Sequence, residues 1–147
     1  MEIIEVTKYK KEYLDLLLLA DEQEDMIEKY LDRGIMYDLD DKGIKCECVI
    51  TDVGNGVLEI KNIATDPNWQ GKGYAKAWIE FIVIKYRKDY SILQVGTGDS
   101  PMTVHFYEKC GFVRAHFIPN FFADNYHQPI FEEGIQLIDM VYLTRKI

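Results

Sequence analysis

The chain has 147 residues, 48% of them apolar, and a formal charge of −8, enough for one hydrophobic core and too short for two independent ones. The acidic balance argues against a general nucleic-acid binder, because phosphate contacts need a basic surface. The longest apolar stretch, Leu16 to Ala20, is far below the roughly 20 residues that span a bilayer, and no basic-then-apolar leader precedes it, so the expectation is one cytoplasmic domain over residues 1–147 without membrane contact.

In chain order, a short strand is expected at Ile3 to Thr7, followed by a helix in which Tyr13, Leu16, Leu17 and Ala20 recur at helical spacing. Met26, Ile27, Tyr30 and Leu31 mark a second helix. Asp21, Glu22, Glu24 and Asp25 suit its positive N-terminus and Gly34 suits its end. Ile44 to Asp52 and Val57 to Thr65 are rich in β-branched residues and flank Gly54-Asn55-Gly56, a tight-turn signal for an antiparallel hairpin. From Gly73 the pattern is helical again, with Ala75, Trp78, Ile79, Ile82, Val83 and Tyr86 on one broad apolar face. Ile92 to Thr97 reads as a buried strand, Pro101 to Cys110 as a helix ended by Gly111, and Phe112 to Ile118 and Ile135 to Arg145 as two further strands. The order strand, helix, strand over residues 57 to 97 predicts a crossover between parallel neighbours in an otherwise antiparallel sheet. The fold class is therefore α/β, a single domain with a mixed central sheet of about six or seven strands and flanking helices.

The cysteines Cys46, Cys48 and Cys110 are odd in number and lack zinc spacing, and are expected to be free thiols. His105, His116 and His127 show no ligand pattern, so no metal is assigned. Charge is unevenly spread: residues 1–53 hold 15 Asp/Glu against 7 Lys/Arg, and residues 54–147 hold 10 of each, so the whole −8 lies in the first third. Such a run is either a solvated surface or a field that attracts a cationic ligand.

The stretch that carries most chemistry runs from Asn62 to Ala75, where a strand ends, turns and opens a long helix. Gly71 and Gly73 remove side chains where the first helical N–H groups lack partners, which is how a phosphate or pyrophosphate is cradled. It is neither a Walker loop nor a complete Gly-x-Gly-x-x-Gly fingerprint. Some 30 residues on stands Phe106-Tyr107-Glu108-Lys109-Cys110-Gly111-Phe112.

Gln70-x-x-Gly73-x-Ala75 resembles the Arg/Gln-x-x-Gly-x-Gly/Ala signature of the GNAT superfamily of N-acetyltransferases, and the Phe106 to Phe112 segment resembles that superfamily's later helix-to-strand passage. The resemblance implies a cleft between two parallel strands that splay apart near Thr65 and Thr97, with acetyl-CoA as cosubstrate. Backbone groups of Ile63, Ala64 and Thr65 would pair with the pantetheine arm, and Gln70, Gly71, Lys72, Gly73, Tyr74 and Ala75 would hold the pyrophosphate. Ser100 stands where many members have an Asn that touches the cofactor arm.

Tyr107 aligns with the tyrosine that protonates the departing CoA thiolate in many members, a task suited to a phenol that keeps its proton near neutral pH. An ammonium must also lose a proton before it attacks a thioester. Glu59 is the candidate base, since it lies at even spacing from Lys61 and Ile63 and is expected to share their face; Asp99 and a water chain are rivals. Residues 119–134, rich in aromatics, are expected to wall an acceptor pocket, to cover the sheet or to make a homodimer contact. The function this implies is an acyl-CoA-dependent N-acetyltransferase acting on a primary amine of a small molecule or peptide, cationic if the acidic segment borders the cleft. A catalytically silent CoA-binding sensor is the alternative.

Overall fold

The computed structural model describes residues 2–147. Its strands and helices follow in the order β1 (Glu2–Val6), α1 (Leu14–Ala20), α2 (Glu24–Glu28), β2 (Ile35–Asp40), β3 (Ile44–Gly54), β4 (Val57–Thr65), α3 (Tyr74–Tyr86), β5 (Ile92–Gly98), α4 (Pro101–Lys109), β6 (Val113–Ile118), α5 (Phe121–Asn125), β7 (Ile130–Glu132), β8 (Ile135–Leu137) and β9 (Met140–Lys146). Seven strands form one sheet in the order β1-β2-β3-β4-β5-β9-β6, and β7 and β8 form a separate hairpin. Within the large sheet only β4 and β5 run parallel, joined through α3 as the strand-helix-strand spacing predicts. Among the described residues no helix is long and apolar enough to cross a membrane.

Alternation along the strands sends apolar side chains to both faces of the sheet. Tyr37, Cys48, Ile50, Leu58 and Ile60 join Trp78, Ile79 and Ile82 of α3 and Val104 and Tyr107 of α4 in one core. Their sequence neighbours Met36 and Val49 turn to the other face and pack under Leu17 of α1, Ile27 of α2, and Tyr30 and Leu31. Burial of each such aliphatic side chain contributes about 1.5–3 kcal/mol. The three cysteines are buried free thiols.

Two expectations need correction. The second helix stops at Glu28 rather than running through Leu31; Tyr30 and Leu31 are buried from a turn that Gly34 closes by donating to the Tyr30 carbonyl at 2.8 Å. The stretch read as one strand from Ile135 to Arg145 is broken at Ile138-Asp139, its two halves belonging to different sheets. The corner is held by Asp139, whose carboxylate accepts from the Asn120 N–H at 2.9 Å and whose carbonyl accepts from Asp99 N–H at 3.2 Å. The connection 119–134, in turn, contains α5 and β7.

β2 had no clear apolar alternation in the sequence because Asp38 points inward. It lies opposite Glu47 of β3, and both are buried. One Asp38 oxygen accepts from the Tyr13 hydroxyl at 2.8 Å, whereas neither Glu47 oxygen has a partner. Burial pushes the Glu47 carboxyl well above the ordinary carboxylate range. Above the unfolded-state value the unfolded chain is ionised while the folded chain keeps its proton, so the folded state binds more protons and stability falls as pH rises, by about 1.4 kcal/mol per unit for one fully linked group. Glu47→Gln is therefore expected to raise the melting temperature at pH 8, and the gain should shrink as pH falls towards 4.5, as thermal unfolding across pH will show.

Candidate active site

The parallel pair β4–β5 is in register only from Val57↔Ile92 to Ile60↔Val95. Beyond that point β4 continues to Thr65 and β5 to Gly98, each paired only on its outer side, β4 with β3 and β5 with β9. The inner edges of Lys61–Thr65 and Gly96–Gly98 thus diverge and leave main-chain donors and acceptors facing a gap, the arrangement that an extended ligand completes as an added strand.

The divergence coincides with a β-bulge. Val49 pairs with Asn62 and Ile50 with Ile60, so Lys61 is the extra residue on β4. The bulge inverts the alternation beyond it: Ile60 and Ile63 both face the α3–α4 core, and Glu59 and Asn62 both face away from it. Glu59 therefore does not share a face with Ile63, contrary to the even-spacing expectation. Its carboxylate is buried, accepts from Gln94 Nε2 at 2.5 Å and pairs with Lys61 Nζ at 2.5 Å, and it borders neither of the large cavities described next. Asp99 is also outside them, pairing with Arg114 at 3.2 Å on the surface.

Two cavities of about 480 and 500 Å³ occupy the gap. The first is lined by Ile63, Ala64 and Thr65 of β4, by Gln70, Gly71, Gly73, Tyr74 and Ala75, and by Met102 and Phe106 of α4. Gly71 and Gly73 have φ of +76° and +87°, the left-handed region that glycine adopts without strain, and a Cβ at either would enter open space. Helix α3 starts there, its first-turn N–H groups lacking intrahelical acceptors. Gln70 Nε2 donates to the Thr65 carbonyl at 3.3 Å, closing the turn across the strand end. Lys45 lies 4.0 Å over the Trp69 ring, with Lys72 at 5.8 Å, adding positive charge near the glycine turn.

Of the residues the sequence assigned to this side, Lys72 is exposed and does not line the cavity. Ser100 is fully buried, off both cavities, with no well-formed hydrogen-bond partner for its hydroxyl.

The second cavity lies across the splay from the glycine turn, walled by Gly96–Gly98 of β5, by Leu19–Glu22 at the end of α1, and by Phe122, Tyr126, Phe131, Glu132 and Glu133 of the late connection. Gly96 and Gly98 lack side chains because Tyr142, Met140 and Leu137 lie against them: a Cβ would come within 2.9 Å of Met140 Sδ at Gly96 and within 2.6 Å of Leu137 Cδ1 at Gly98. Asp21 anchors the connection to the N-terminal third, accepting from the Tyr126 hydroxyl at 2.6 Å and the Tyr30 hydroxyl at 3.1 Å. Gln23 and Asp25 add contacts to Asn125 and His127. Burial raises the Asp21 carboxyl, and the two phenols pull it back. Of the four acidic residues preceding and opening α2, only Asp21 and Glu22 reach the cavity.

The cavities meet along a shared wall that includes Leu19, Ile63, Gln70, Thr103, Tyr107 and Glu132. Tyr107 packs edge-on between Phe106 and Phe112, so it is a core residue and a wall residue together. Burial pushes its phenol far above the usual range. Glu132 was not singled out from sequence; the available signal was an acidic residue at the end of an aromatic-rich connection. Among the described residues no group of His, Cys, Asp or Glu is arranged to hold a metal.

Residues 32–114, the span from the end of α2 to the start of β6, match the family described as the acetyltransferase (GNAT) domain. The chain is 36% identical over 135 residues, 90% of its length and 87% of the relative's, to the uncharacterized N-acetyltransferase YvbK of Bacillus subtilis. It is 31% identical over 86 residues to the spermidine N(1)-acetyltransferase of Vibrio cholerae, covering 54% of this chain and 47% of that one. The crystal structure of a GNAT family acetyltransferase from Elizabethkingia anophelis with acetyl-CoA bound superposes with a TM-score of 0.93 at 34% identity, covering 99% of this chain and 97% of that one. With the splayed parallel pair and the glycine turn before α3 in place, these matches show that the chain belongs to the GNAT family and is an acyl-CoA-dependent N-acetyltransferase.

Proposed function

We propose that the enzyme moves an acetyl group from acetyl-CoA to a primary amine of a small molecule or peptide, by direct attack while both substrates are bound. The observation that carries this reading is the junction of two cavities at Tyr107, one beside the glycine turn and one across the splay from it. The first is the donor side: β4 edge groups near Ile63–Thr65 pair with the pantetheine arm, and the α3 N-terminus receives the pyrophosphate. The thioester then lies at the shared wall, and the second cavity delivers the amine. Cys110 is buried and borders neither cavity, so a cysteine acyl-enzyme has no support.

Tyr107 acts as the acid that protonates the leaving thiolate. A phenol whose ionisation is suppressed by burial holds its proton until sulfur demands it. A backbone N–H on the open edge of β4 meets the developing oxyanion.

The acceptor is a cationic amine. Asp21, Glu22, Glu132 and Glu133 line its cavity against Lys61 as the one cationic side chain there among the described residues, and Phe122, Tyr126 and Phe131 offer ring faces and apolar surface to an alkylammonium. The match to a spermidine enzyme supports this class of acceptor.

Gly73→Ala and Gly54→Ala impose the same left-handed strain, about 1–2 kcal/mol, and both added Cβ atoms face open space. Calorimetry should show weakened acetyl-CoA binding for Gly73→Ala alone, with similar losses in melting temperature for both. Tyr107→Phe should lower kcat by ~10²–10⁴-fold with little change in the acetyl-CoA dissociation constant, because proton donation acts in the transition state; steady free-thiol release measures it. A protein that binds acetyl-CoA and releases no thiol with any amine would be a sensor instead. Between a polyamine and a neutral amine of similar size, kcat/KM should favour the polyamine, and the preference should fall with salt as the Debye length drops from about 8–10 Å.

A further inference from the structure

We propose that Glu132 of β7 is the general base that takes the proton from the incoming ammonium. The assignment rests on the acetyltransferase reading above and adds to it the group that makes the amine nucleophilic. Among the residues that border both cavities, Tyr107 and Glu132 are the two with titratable side chains. One is a phenol held neutral by burial and the other a carboxylate, so the shared wall carries an acid and a base where an amine and a thioester would meet. Thr103 and Tyr107 are four residues apart on α4 and so project from the same helix face. The Thr103 hydroxyl donates to a Glu132 oxygen, which holds the carboxylate against the α4 face that carries Tyr107.

Burial raises the Glu132 carboxyl above the ordinary carboxylate range; the Ser100 hydroxyl beside it opposes the rise, and Glu133 and Glu22 reinforce it. The direction suits a base, since a carboxylate of raised affinity for protons accepts one from an ammonium more readily. Glu59, the base expected from sequence, is held on the other side of the sheet by Gln94 and Lys61. The groups about Glu132 are Glu133 on its own hairpin, Glu22 just past α1, Ser100 at the N-cap of α4, and Thr103 and Tyr107 on α4, and Asp21 and Lys61 line the same cavity.

The Glu132 carboxylate takes one proton from the ammonium. The free amine attacks the thioester carbon, the N–C bond forms and the carbonyl π pair moves to oxygen. As the oxyanion collapses the C–S bond breaks, sulfur takes the Tyr107 proton, and the nitrogen passes its remaining extra proton to the phenolate. Glu132 returns its proton to solvent.

The test uses the full chain with an amine that the wild type acetylates, and compares wild type, Glu132→Gln and Glu132→Asp, with thermal unfolding as the check on folding. Acetyl-CoA binding by calorimetry should be unchanged. For Glu132→Gln, kcat/KM should fall by ~10²–10⁴-fold. Its pH profile should lose the plateau between the Glu132 ionisation and that of the amine, rising instead tenfold per unit because only amine already neutral reacts. Glu132→Asp, with the carboxylate retracted by one methylene, should keep the plateau at reduced height. A folded Glu132→Gln with the plateau and near-normal kcat/KM overturns the assignment and leaves the acetyltransferase reading standing. A wild type that binds acetyl-CoA and acetylates no amine overturns both.

Discussion

Everything chemical in this enzyme follows from hydrogen bonds that β4 and β5 do not make. Two parallel strands that have paired as far as Ile60 and Val95 would ordinarily continue, because unpaired main-chain groups buried away from water are costly. Here the ladder stops where Lys61 is inserted as a bulge, and the freed edges line the gap. Both strands are secured on their outer sides by antiparallel neighbours, so the sheet tolerates the opening without losing either one. The helices then divide around it: α3 brings its N-terminus to one side, α4 roofs the gap, and α1 closes the far side.

The two cavities are built from different materials. On the glycine-turn side the wall is largely main chain: an open strand edge, a turn with two left-handed glycines and a helix start. On the other side it is side chains from distant parts of the sequence, held together by Asp21 gripping Tyr126 and Tyr30. Tyr107 belongs to both, since the residue that packs in the core against Phe106 and Phe112 also lines both cavities.

The legibility of the sequence follows the same division. The hairpin at Gly54-Asn55-Gly56, the apolar face of α3 and the glycine turn were readable because each depends on local signals: turn residues, helical periodicity and a helix start. The grouping of Glu59 with Ile63 failed because counting by twos assumes an unbroken ladder, and nothing in Ile60-Lys61-Asn62 announces a bulge. β2 was obscured by Asp38, a carboxylate on a buried face. The connection 119–134 drew attention through its aromatics, yet which of its side chains reach the cleft depends on pairing between β7 and β8 and on contacts to residues 21–25, more than 100 positions away. Such long-range pairing leaves no periodic trace.

The hairpin of β7 and β8 stands apart from the large sheet, and its strands are three residues each. A ladder that short has little stability of its own and depends on what it leans against, chiefly Leu137 seated on Gly98 and the contact between Glu132 and Thr103. Apart from those two anchors, change in this segment leaves the hydrogen-bonded ladder of the main sheet untouched. Outside Glu132, its exposed positions can change in size or charge while the glycine turn and the open edge of β4, written in backbone geometry, stay as they are. The hairpin is thus a wall of the second cavity whose surface can vary without altering the glycine turn across the splay.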